Sequence, residues 1–364
     1  MRRQKQVNTQ LTGYAAYSRD SLTYNTKTRF GMSTPKKILI GFLVALLVVV
    51  AAAGTAFGLY INQISNNLKG NYNEEETLAI NEKLVPTTTV EEPFYVMLIG
   101  SDERANDDEL GARSDSNILC RIDPTTWVVS MISIPRDTKI TYKGSVMKFN
   151  AAYTYGGAAG VIEATTQLTG VQINHYVEVN FSGLEALVDA VGGVTVDVPQ
   201  PINDPQAGEA TIDEAGVQTL NGAQALVFAR SRHYYLDGDF SRSANQRTLI
   251  MAIVNKVFSL PIGQIPGAVQ EMSKCVSTDL TVNELYSLAM QYMNSGAQMT
   301  LYSTMAPSTT SDEGGASYVL VDTVGLTNQI ALMDAGGDPS EAQISPGYTV
   351  TGKFEHYDYV EGYD

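Results

Sequence analysis

The sequence predicts an α/β domain between residues 94 and 333, placed after a single apolar segment that is long enough to cross a membrane. Strand-like and helix-like stretches alternate along this region, which is the arrangement that α/β folds show. The charge is divided unevenly, since residues 1–37 carry a net charge of +7 and the other residues −22, within a total of −15. The apolar content of 44% and the charged content of 17% are typical of a folded chain.

The predicted elements follow from the spacing of the apolar residues. The stretch FYVMLIG predicts a strand at 94–100, and strands at 117–122 and 127–134 form a hairpin around the turn Asp-Pro-Thr-Thr. Helical spacing predicts helices at 156–170, 181–191, 220–229, 243–260, 267–274 and 281–294. Further strands are predicted at 171–179, 194–198 and 299–304. The polar, acidic residues 62–93 are predicted to be an extracellular spacer, and the acidic residues 334–364 a mobile tail.

An uncharged apolar run at residues 38–61 predicts a transmembrane helix, because about 20 such residues cross the hydrocarbon core of a bilayer. The basic segment 1–37 precedes this run, and the positive-inside rule therefore keeps the segment in the cytoplasm and exports the rest of the chain. A cleaved signal peptide is the alternative, since small residues are frequent at 51–56. The lengths of the basic segment and of the apolar run favour an uncleaved anchor, and so a single-pass protein of the cell membrane with an extracellular domain.

Several common sites are absent from the sequence. The three histidines form no HExxH pair, and neither a GxSxG elbow nor a GxxxxGK[ST] loop occurs. A zinc or serine hydrolase and a nucleoside triphosphatase are therefore not expected, and the acidic balance argues against nucleic acid as a partner. Cys120 and Cys275 lie in the predicted exported part, where a disulfide persists if they meet. Cys120 fits a small buried apolar position at least as well.

Four arginines fall within the 18 residues 230–247, RSRHYYLDGDFSRSANQR, after a stretch from 149 to 229 without Lys or Arg. This cluster opposes the acidic background of the chain. A guanidinium group presents paired donors that match two phosphate oxygens at once, so four Arg without Lys favour geometric recognition of phosphate. Surface ion pairs are the alternative, but the bases outnumber the two acids within the run.

Acidic residues and arginines also stand at the ends of the predicted strands. Asp102 follows the first strand, Arg113 and Asp115 precede the second, and Arg136 and Asp137 follow the third. In α/β sheets, loops at the strand ends project side chains into one crevice, where ligands bind. The carboxylates of Asp102 and Asp115 offer hard oxygen ligands, which suit Mg²⁺ that also bridges phosphate oxygens. Each Asp taken alone is better explained as a turn former or a helix cap.

Five segments, in order, resemble the LytR-CpsA-Psr family of cell-wall proteins. They are LIGSDER, RSDSNILCRIDPTTWVVSMISIPRDT, KFNAAYTYGG, HYVEVNFSGLEALVDAVGGVTVDVP and GVQTLNGAQALVFARSRHYYLDGDFSRSANQR. The resemblance covers roughly residues 94–257, and the motifs IPRD and RSR…DFSR are its most specific parts. It implies a central mixed β-sheet flanked by helices, an α-β-α domain that follows one transmembrane helix.

The resemblance further implies a phosphotransferase, dependent on Mg²⁺ or Mn²⁺, that moves an anionic glycopolymer of the teichoic acid or capsular polysaccharide type. The donor would be a polyprenyl pyrophosphate carrier and the acceptor peptidoglycan, with membrane lipid as a further partner. Asp102 and Asp115 would hold the metal. Asp239 would be the general base on the acceptor hydroxyl, with Arg136 and Arg230 as the other catalytic residues. The pyrophosphate-binding residues would be Arg113, Arg136, Arg230, Arg232, Arg242 and Gln246.

Other assignments are weaker. Lys148 and Arg247 are candidates for the pocket rim, His233 for the lining of the site, and His175 is interpreted as structural. The apolar helices 181–191 and 220–228 could wall a lipid tunnel, although ordinary core explains each of their residues better. Two other functions stay open: a polyprenyl pyrophosphate hydrolase with water as the acceptor, and a non-catalytic wall-binding or regulatory membrane protein.

Overall fold

The computed structural model describes residues 55–70, 72–85, 87, 89–102, 113–232, 239–261 and 264–350. The chain divides into two compact units, 1–60 and 61–364. Only residues 55–60 of the first unit are described, and they are helical. Within the described ranges no helix combines the length and the apolar character that crossing a membrane requires. The predicted span 38–61 lies outside these ranges except for residues 55–61.

The strands and helices of the described ranges are numbered in chain order. The strands are β1 (Phe94–Asp102), β2 (Arg113–Asp123), β3 (Val128–Ser133), β4 (Lys139–Tyr142), β5 (Ser145–Lys148), β6 (His175–Asn180), β7 (Val194–Val198), β8 (Gly216–Leu220), β9 (Val276–Thr278), β10 (Thr300–Met305), β11 (Ser308–Glu313) and β12 (Ala316–Val321). The helices are α1 (residues 55–68), α2 (Glu74–Asn81), α3 (Ala151–Thr169), α4 (Phe181–Ala190), α5 (Gly222–Arg230), α6 (Asp239–Ser259), α7 (Ile265–Cys275), α8 (Val282–Ser295) and α9 (Thr323–Asp334).

A six-stranded sheet with the order β10-β3-β2-β1-β6-β9 forms the centre of the second unit. The pairs β1–β2, β2–β3 and β6–β9 are antiparallel, whereas β1–β6 and β3–β10 are parallel. Three two-stranded ribbons, β4–β5, β7–β8 and β11–β12, lie outside this sheet. The prediction of an α/β domain with a central mixed sheet flanked by helices is therefore confirmed.

Five of the six predicted helix starts differ from the observed ones: α3 begins five residues before the predicted start, α7 two residues before it and α8 one residue after it, and α5 and α6 differ as follows. Helix α5 begins at Gly222 instead of residue 220, because Asn221 and Gln224 form a capping box and Leu220 is still the last residue of β8. Helix α6 begins at Asp239, four residues before the predicted start. The DFSR motif is consequently the first turn of a helix and not part of the preceding loop.

The end of the described chain is tied to the domain. Asp322 caps α9 and also accepts hydrogen bonds from the backbone N and the Oγ of Ser345, at 2.6 and 2.9 Å. Ser308 and Thr349 exchange backbone hydrogen bonds of 2.8 and 3.1 Å. The predicted mobile tail is thus held by hydrogen bonds as far as Thr349, and residues 351–364 lie outside the described ranges.

The central sheet carries an apolar layer on each face, because successive side chains of a strand point to opposite sides. Met97 and Leu119 belong to the layer that α3 and α9 cover. Val96 and Ile118 belong to the opposite layer, to which α6 contributes Met251. A third apolar cluster joins α4, α5 and α7 to the ribbon β7–β8. The two helices considered as tunnel walls, α4 and α5, therefore supply ordinary core.

Both cysteines are buried and free, so they form no disulfide in this fold. Cys120 lies on the central strand β2 and Cys275 at the end of α7. Burial raises the pKa of the Cys120 thiol to about 12 and that of Cys275 to about 11. Each thiol is accordingly neutral, shielded and unreactive, since the thiolate is the nucleophile.

We expect neither thiol to react with a thiol-specific chromophoric reagent in the native protein at about pH 8, and both to react after unfolding in guanidinium chloride. The measurement is a thiol count by absorbance before and after unfolding. Labelling of the native protein would contradict the buried placement, and fewer than two thiols in the unfolded protein would contradict the free state.

Candidate active site

One edge of the central sheet collects the acidic and basic residues that the sequence singles out. The strands β1, β3, β6 and β10 all end at this edge, and the antiparallel strand β2 begins there. Asp102 at the end of β1 is paired in register with Arg113 at the start of β2. The side chain of Asp102 lies outside the described part of the structure, whereas that of Arg113 is exposed.

A β-bulge singles out Asp115 at this edge. Gly100 pairs with Ser116 and Ser101 with Ser114, so that Asp115 is the extra residue of β2. A bulge bends a strand and redirects the side chain of its extra residue. The Asp115 carboxylate, which is 20% exposed, accepts a hydrogen bond of 2.8 Å from Nη1 of Arg136.

Arg136 and Asp137 form a short loop that is fastened on two sides. The backbone N of Asn150, before α3, donates to the carbonyl O of Arg136 at 3.0 Å, and the N of Val319 on β12 donates to that of Asp137 at 2.9 Å. The Asp137 carboxylate lies 3.0 Å from Nζ of Lys148 and 3.8 Å from Nε of Arg136. Two carboxylates and two cations therefore alternate along this edge, in the order Asp115, Arg136, Asp137 and Lys148.

The remaining predicted residues lie where α5 meets α6. Arg230 is the last residue of α5, and Arg232 follows it after one residue. The second turn of α6 is docked on the end of α5, since Nδ2 of Asn245 donates to the carbonyl O of Phe228 and Nε2 of Gln246 to that of Ala229, at 3.1 and 3.3 Å.

Helix α6 also arranges the predicted base. Asp239, Arg242 and Gln246 are spaced so that they share one face of this helix. Arg242 and Gln246 are buried, and the side chain of Asp239 lies outside the described part of the structure. The structure thus brings Gln246 next to the end of α5 that carries Arg230.

Arg247 joins this helical group to the sheet edge. Its Nη1 donates to Oγ of Ser133, the last residue of β3, and its Nε to Oγ of Ser303 on β10, both at 2.6 Å. The side chain is only 3% exposed, and burial lowers the pKa of the guanidinium to about 10. The expectation that Arg247 lies on the pocket rim is therefore wrong, because its guanidinium is a buried link between α6 and the sheet.

The candidate site contains carboxylates that are possible ligands for the expected metal. Among the described residues no three His, Cys, Asp or Glu side chains are grouped so that they could hold a metal ion. Asp102 pairs with Arg113, two residues before Asp115, and two such carboxylates are of the type that suits Mg²⁺, which takes one or two carboxylates and completes its shell with phosphate oxygens and water. The donor chemistry therefore fits a metal that is bound together with its substrate.

His175 is structural, as expected. Its Nδ1 lies 2.7 Å from Oδ2 of Asp279 and its Nε2 3.2 Å from Oγ1 of Thr87, and the ring packs edge-on against Phe94. It lies at the start of β6, at the sheet edge opposite to the candidate site. His233 falls outside the described residues.

Sequence reasoning missed Asp204, which is 3% exposed and lies on the loop between β7 and β8. Its Oδ2 accepts hydrogen bonds from Oγ of Ser231 at 3.2 Å and from the backbone N of Arg232 at 3.4 Å. The local sequence Asn-Asp-Pro predicts only a turn. The partners of Asp204 are 27 and 28 residues away, so no short-range pattern identifies them.

Comparisons with known proteins agree with this architecture. The sequence model of the LytR_cpsA_psr family matches residues 55–333. The chain therefore belongs to the LytR-CpsA-Psr family, as the resemblance of its motifs indicates.

Two similar relatives are polyisoprenyl-teichoic acid–peptidoglycan teichoic acid transferases. TagV of Bacillus subtilis is 31% identical over 72% of this chain and 67% of its own length. TagU of Enterococcus faecalis is 31% identical over 81% of this chain and 96% of its own length. Among solved structures, the crystal structure of B. subtilis TagV superposes with a TM-score of 0.59 at 27% identity, covering 68% of this chain and 97% of that one.

The buried role of Arg247 predicts the effect of a conservative substitution. Arg247→Lys keeps the charge but offers one nitrogen in place of the two, Nε and Nη1, that donate to Ser303 and Ser133, and we expect it to lower the free energy of unfolding by about 1–3 kcal/mol. Lys256→Met, near the end of the same helix, serves as the control and should change it by less than about 0.5 kcal/mol. Denaturant unfolding measures both values, and an unchanged Arg247→Lys variant would refute the structural link.

Proposed function

We propose that this protein is a membrane-anchored extracellular phosphotransferase that moves an anionic glycopolymer from a polyprenyl pyrophosphate carrier to peptidoglycan. The observation that carries the proposal is the gathering of arginines and carboxylates at one edge of the sheet, through the contacts of Asp115 with Arg136 and of Arg247 with Ser133. The names of the relatives, which are teichoic acid transferases, support a glycopolymer of the teichoic acid type.

The proposed chemistry rests on positioning and charge neutralisation, as in other phosphoryl transfers. The guanidinium groups of Arg113, Arg136, Arg230, Arg232 and Arg242, with the Gln246 amide, bind the diphosphate oxygens. An acceptor hydroxyl of peptidoglycan attacks the phosphorus that bears the glycopolymer, and its oxygen forms the new P–O bond. The bond to the bridging oxygen breaks, polyprenyl phosphate leaves, and Asp239 takes the hydroxyl proton.

Asp102 and Asp115 would hold Mg²⁺ or Mn²⁺, which would neutralise charge on the diphosphate oxygens. In the structure the Asp115 carboxylate accepts a hydrogen bond from Arg136, and this ion pair holds the two side chains facing each other. Arg136 would then bind a phosphate oxygen of the donor.

The face of the sheet that α6 and α8 cover carries an apolar surface, to which we assign the polyprenyl chain. Apolar side chains there are only partly buried, and they come from both the strands and the helices. They are Leu98, Ile122, Val129, Val177, Ile250, Leu288 and Leu301. Helix α8 has no fully buried residue at all, which distinguishes it from the tightly packed α4 and α5. We therefore assign the lipid to this face, where Arg247 also lies.

The expected transfer activity is specific enough to test directly. With Mg²⁺, the full-length protein should move labelled glycopolymer from the lipid-linked donor onto peptidoglycan oligomers. Arg136→Ala and Arg230→Ala should each lower kcat/KM by about 100-fold or more, as expected when a group that stabilises transition-state charge is lost. Lys139→Ala, which removes an ion pair with Glu313 and a cation–π contact with Tyr318 on the ribbon β11–β12, is the control and should retain activity.

Product analysis separates this proposal from its alternatives. Glycan-modified peptidoglycan supports transfer, whereas free glycan phosphate as the only product would identify a hydrolase. Binding of the donor without turnover would identify a non-catalytic wall protein. Full activity of either arginine variant would contradict the proposed site.

The lipid face predicts a chain-length effect. Leu288→Asn places an amide among the partly buried apolar groups, and we expect it to raise KM for a long polyprenyl donor by about tenfold, while KM for a short prenyl donor stays unchanged. Leu285→Asn, one helical turn away and exposed, is the control and should leave both values unchanged. Equal effects on long and short donors would place the lipid elsewhere.

A further inference from the structure

We propose that Asp204 is a positioning residue that fixes the backbone between Arg230 and Arg232, so that both arginines can bind one diphosphate. The inference rests on the proposed function, because it assigns these arginines to the diphosphate of the donor. Asp204 belongs to none of the motifs that the sequence analysis singles out, and it acts from behind the site without contact to the substrate.

Asp204 is itself held firmly. Its Oδ1 accepts a hydrogen bond of 3.1 Å from the backbone N of Gln206. Its backbone carbonyl O accepts two more, of 2.9 Å from the N of Ala207 and of 3.2 Å from the N of Gly208. These bonds close a tight turn and fix the direction of the carboxylate. The second oxygen, Oδ2, then points at Ser231 and the backbone of Arg232.

The backbone of Ser231 connects this contact to the arginines. Ser231 follows the end of α5 with an extended conformation, φ −63° and ψ 131°, and its side chain is fully buried against Asp204. Ser231 is thus an anchored residue between Arg230 and Arg232, and the two arginines on either side of it are both partly exposed.

A turn-forming role alone does not account for this carboxylate. The turn is served by Oδ1 and by the backbone, and a neutral Asn would form it equally well. The turn does not use the second oxygen, Oδ2, which accepts from Ser231 and from the backbone N of Arg232. The positioning of this segment therefore comes from the oxygen that an Asn side chain would lack.

The test is calorimetric binding of inorganic pyrophosphate, with Mg²⁺, to the full-length protein in detergent. Asp204→Asn should weaken the affinity by about tenfold and Ser231→Ala by about threefold, because the backbone between the two arginines is no longer fixed. Asp213→Asn, which removes an exposed charge from the same loop, is the matched control and should not weaken binding. The effect of Asp204→Asn should also shrink in an Arg232→Met background, as coupled residues require.

The sign of the effect separates positioning from general electrostatics. Removing a negative charge by itself attracts an anion more strongly, so weaker binding in Asp204→Asn identifies positioning. Unchanged or tighter binding, with only a lower melting temperature, would overturn the inference while transfer by the wild type leaves the proposed function intact. If Asp204→Asn does not fold, wild-type affinity in Ser231→Ala overturns it. A wild type that does not bind pyrophosphate would remove both proposals.

Discussion

The arrangement of the site depends on one buried guanidinium. Arg247 ties the second turn of α6 to the ends of β3 and β10, which are neighbours only because the sheet pairs them in parallel. Arg247 and the apolar packing of Met251 together hold α6 on the sheet. A lysine could supply the charge but not two directed hydrogen bonds, so the planar fork of arginine is what the position requires. The energetic cost of burying this cation is offset by its hydrogen bonds to two strands, to Ser133 on β3 and to Ser303 on β10.

The second constraint is the mutual repulsion of the cations at this edge of the sheet. In the fold, carboxylates lie between the cations, since Asp115 and Asp137 alternate with Arg136 and Lys148. Such pairs are only partly exposed, so solvent screens them less than surface pairs. The same carboxylates give the side chains fixed directions. The backbone that carries Arg136 and Asp137 is itself fastened from α3 and from β12.

How much of this could be predicted from the sequence depends on the range of the interactions. The strands β1, β2, β3, β6, β7 and β10 and the helices α3 to α8 follow from apolar periodicity, whereas β4, β5, β8, β9, β11, β12 and α9 are not predicted because they are short or lack that period. The motifs around Arg136 and Arg230 indicate phosphate chemistry because residue type and short spacing carry that signal. The bulge at Asp115 could not be predicted, since it is a property of the register between β1 and β2 and not of either strand alone. The role of Asp204 could not be predicted for the same reason, because its partners are distant in sequence. The prediction for Arg247 is wrong because the sequence does not distinguish an exposed arginine of a cluster from a buried one. Because α6 starts at Asp239, the DFSR motif lies in a helix and not in a loop. The helical repeat then sets the spacing between Asp239, the proposed base, and the proposed phosphate-binding residues Arg242 and Gln246.

The arginines of the candidate site lie in a domain whose net charge is strongly negative. Outside the basic segment 1–37 the net charge is −22, so the domain as a whole repels polyanions such as wall polymers and lipid headgroups. Screening limits that field to roughly 8–10 Å at physiological salt, a distance shorter than the domain. An anion is therefore attracted only where guanidinium groups outnumber carboxylates within that distance, and there the attraction depends on paired hydrogen bonds more than on net charge. A protein that handles one diphosphate at the end of a long anionic polymer needs this combination, because a generally basic surface would bind the polymer along its whole length and release the product slowly.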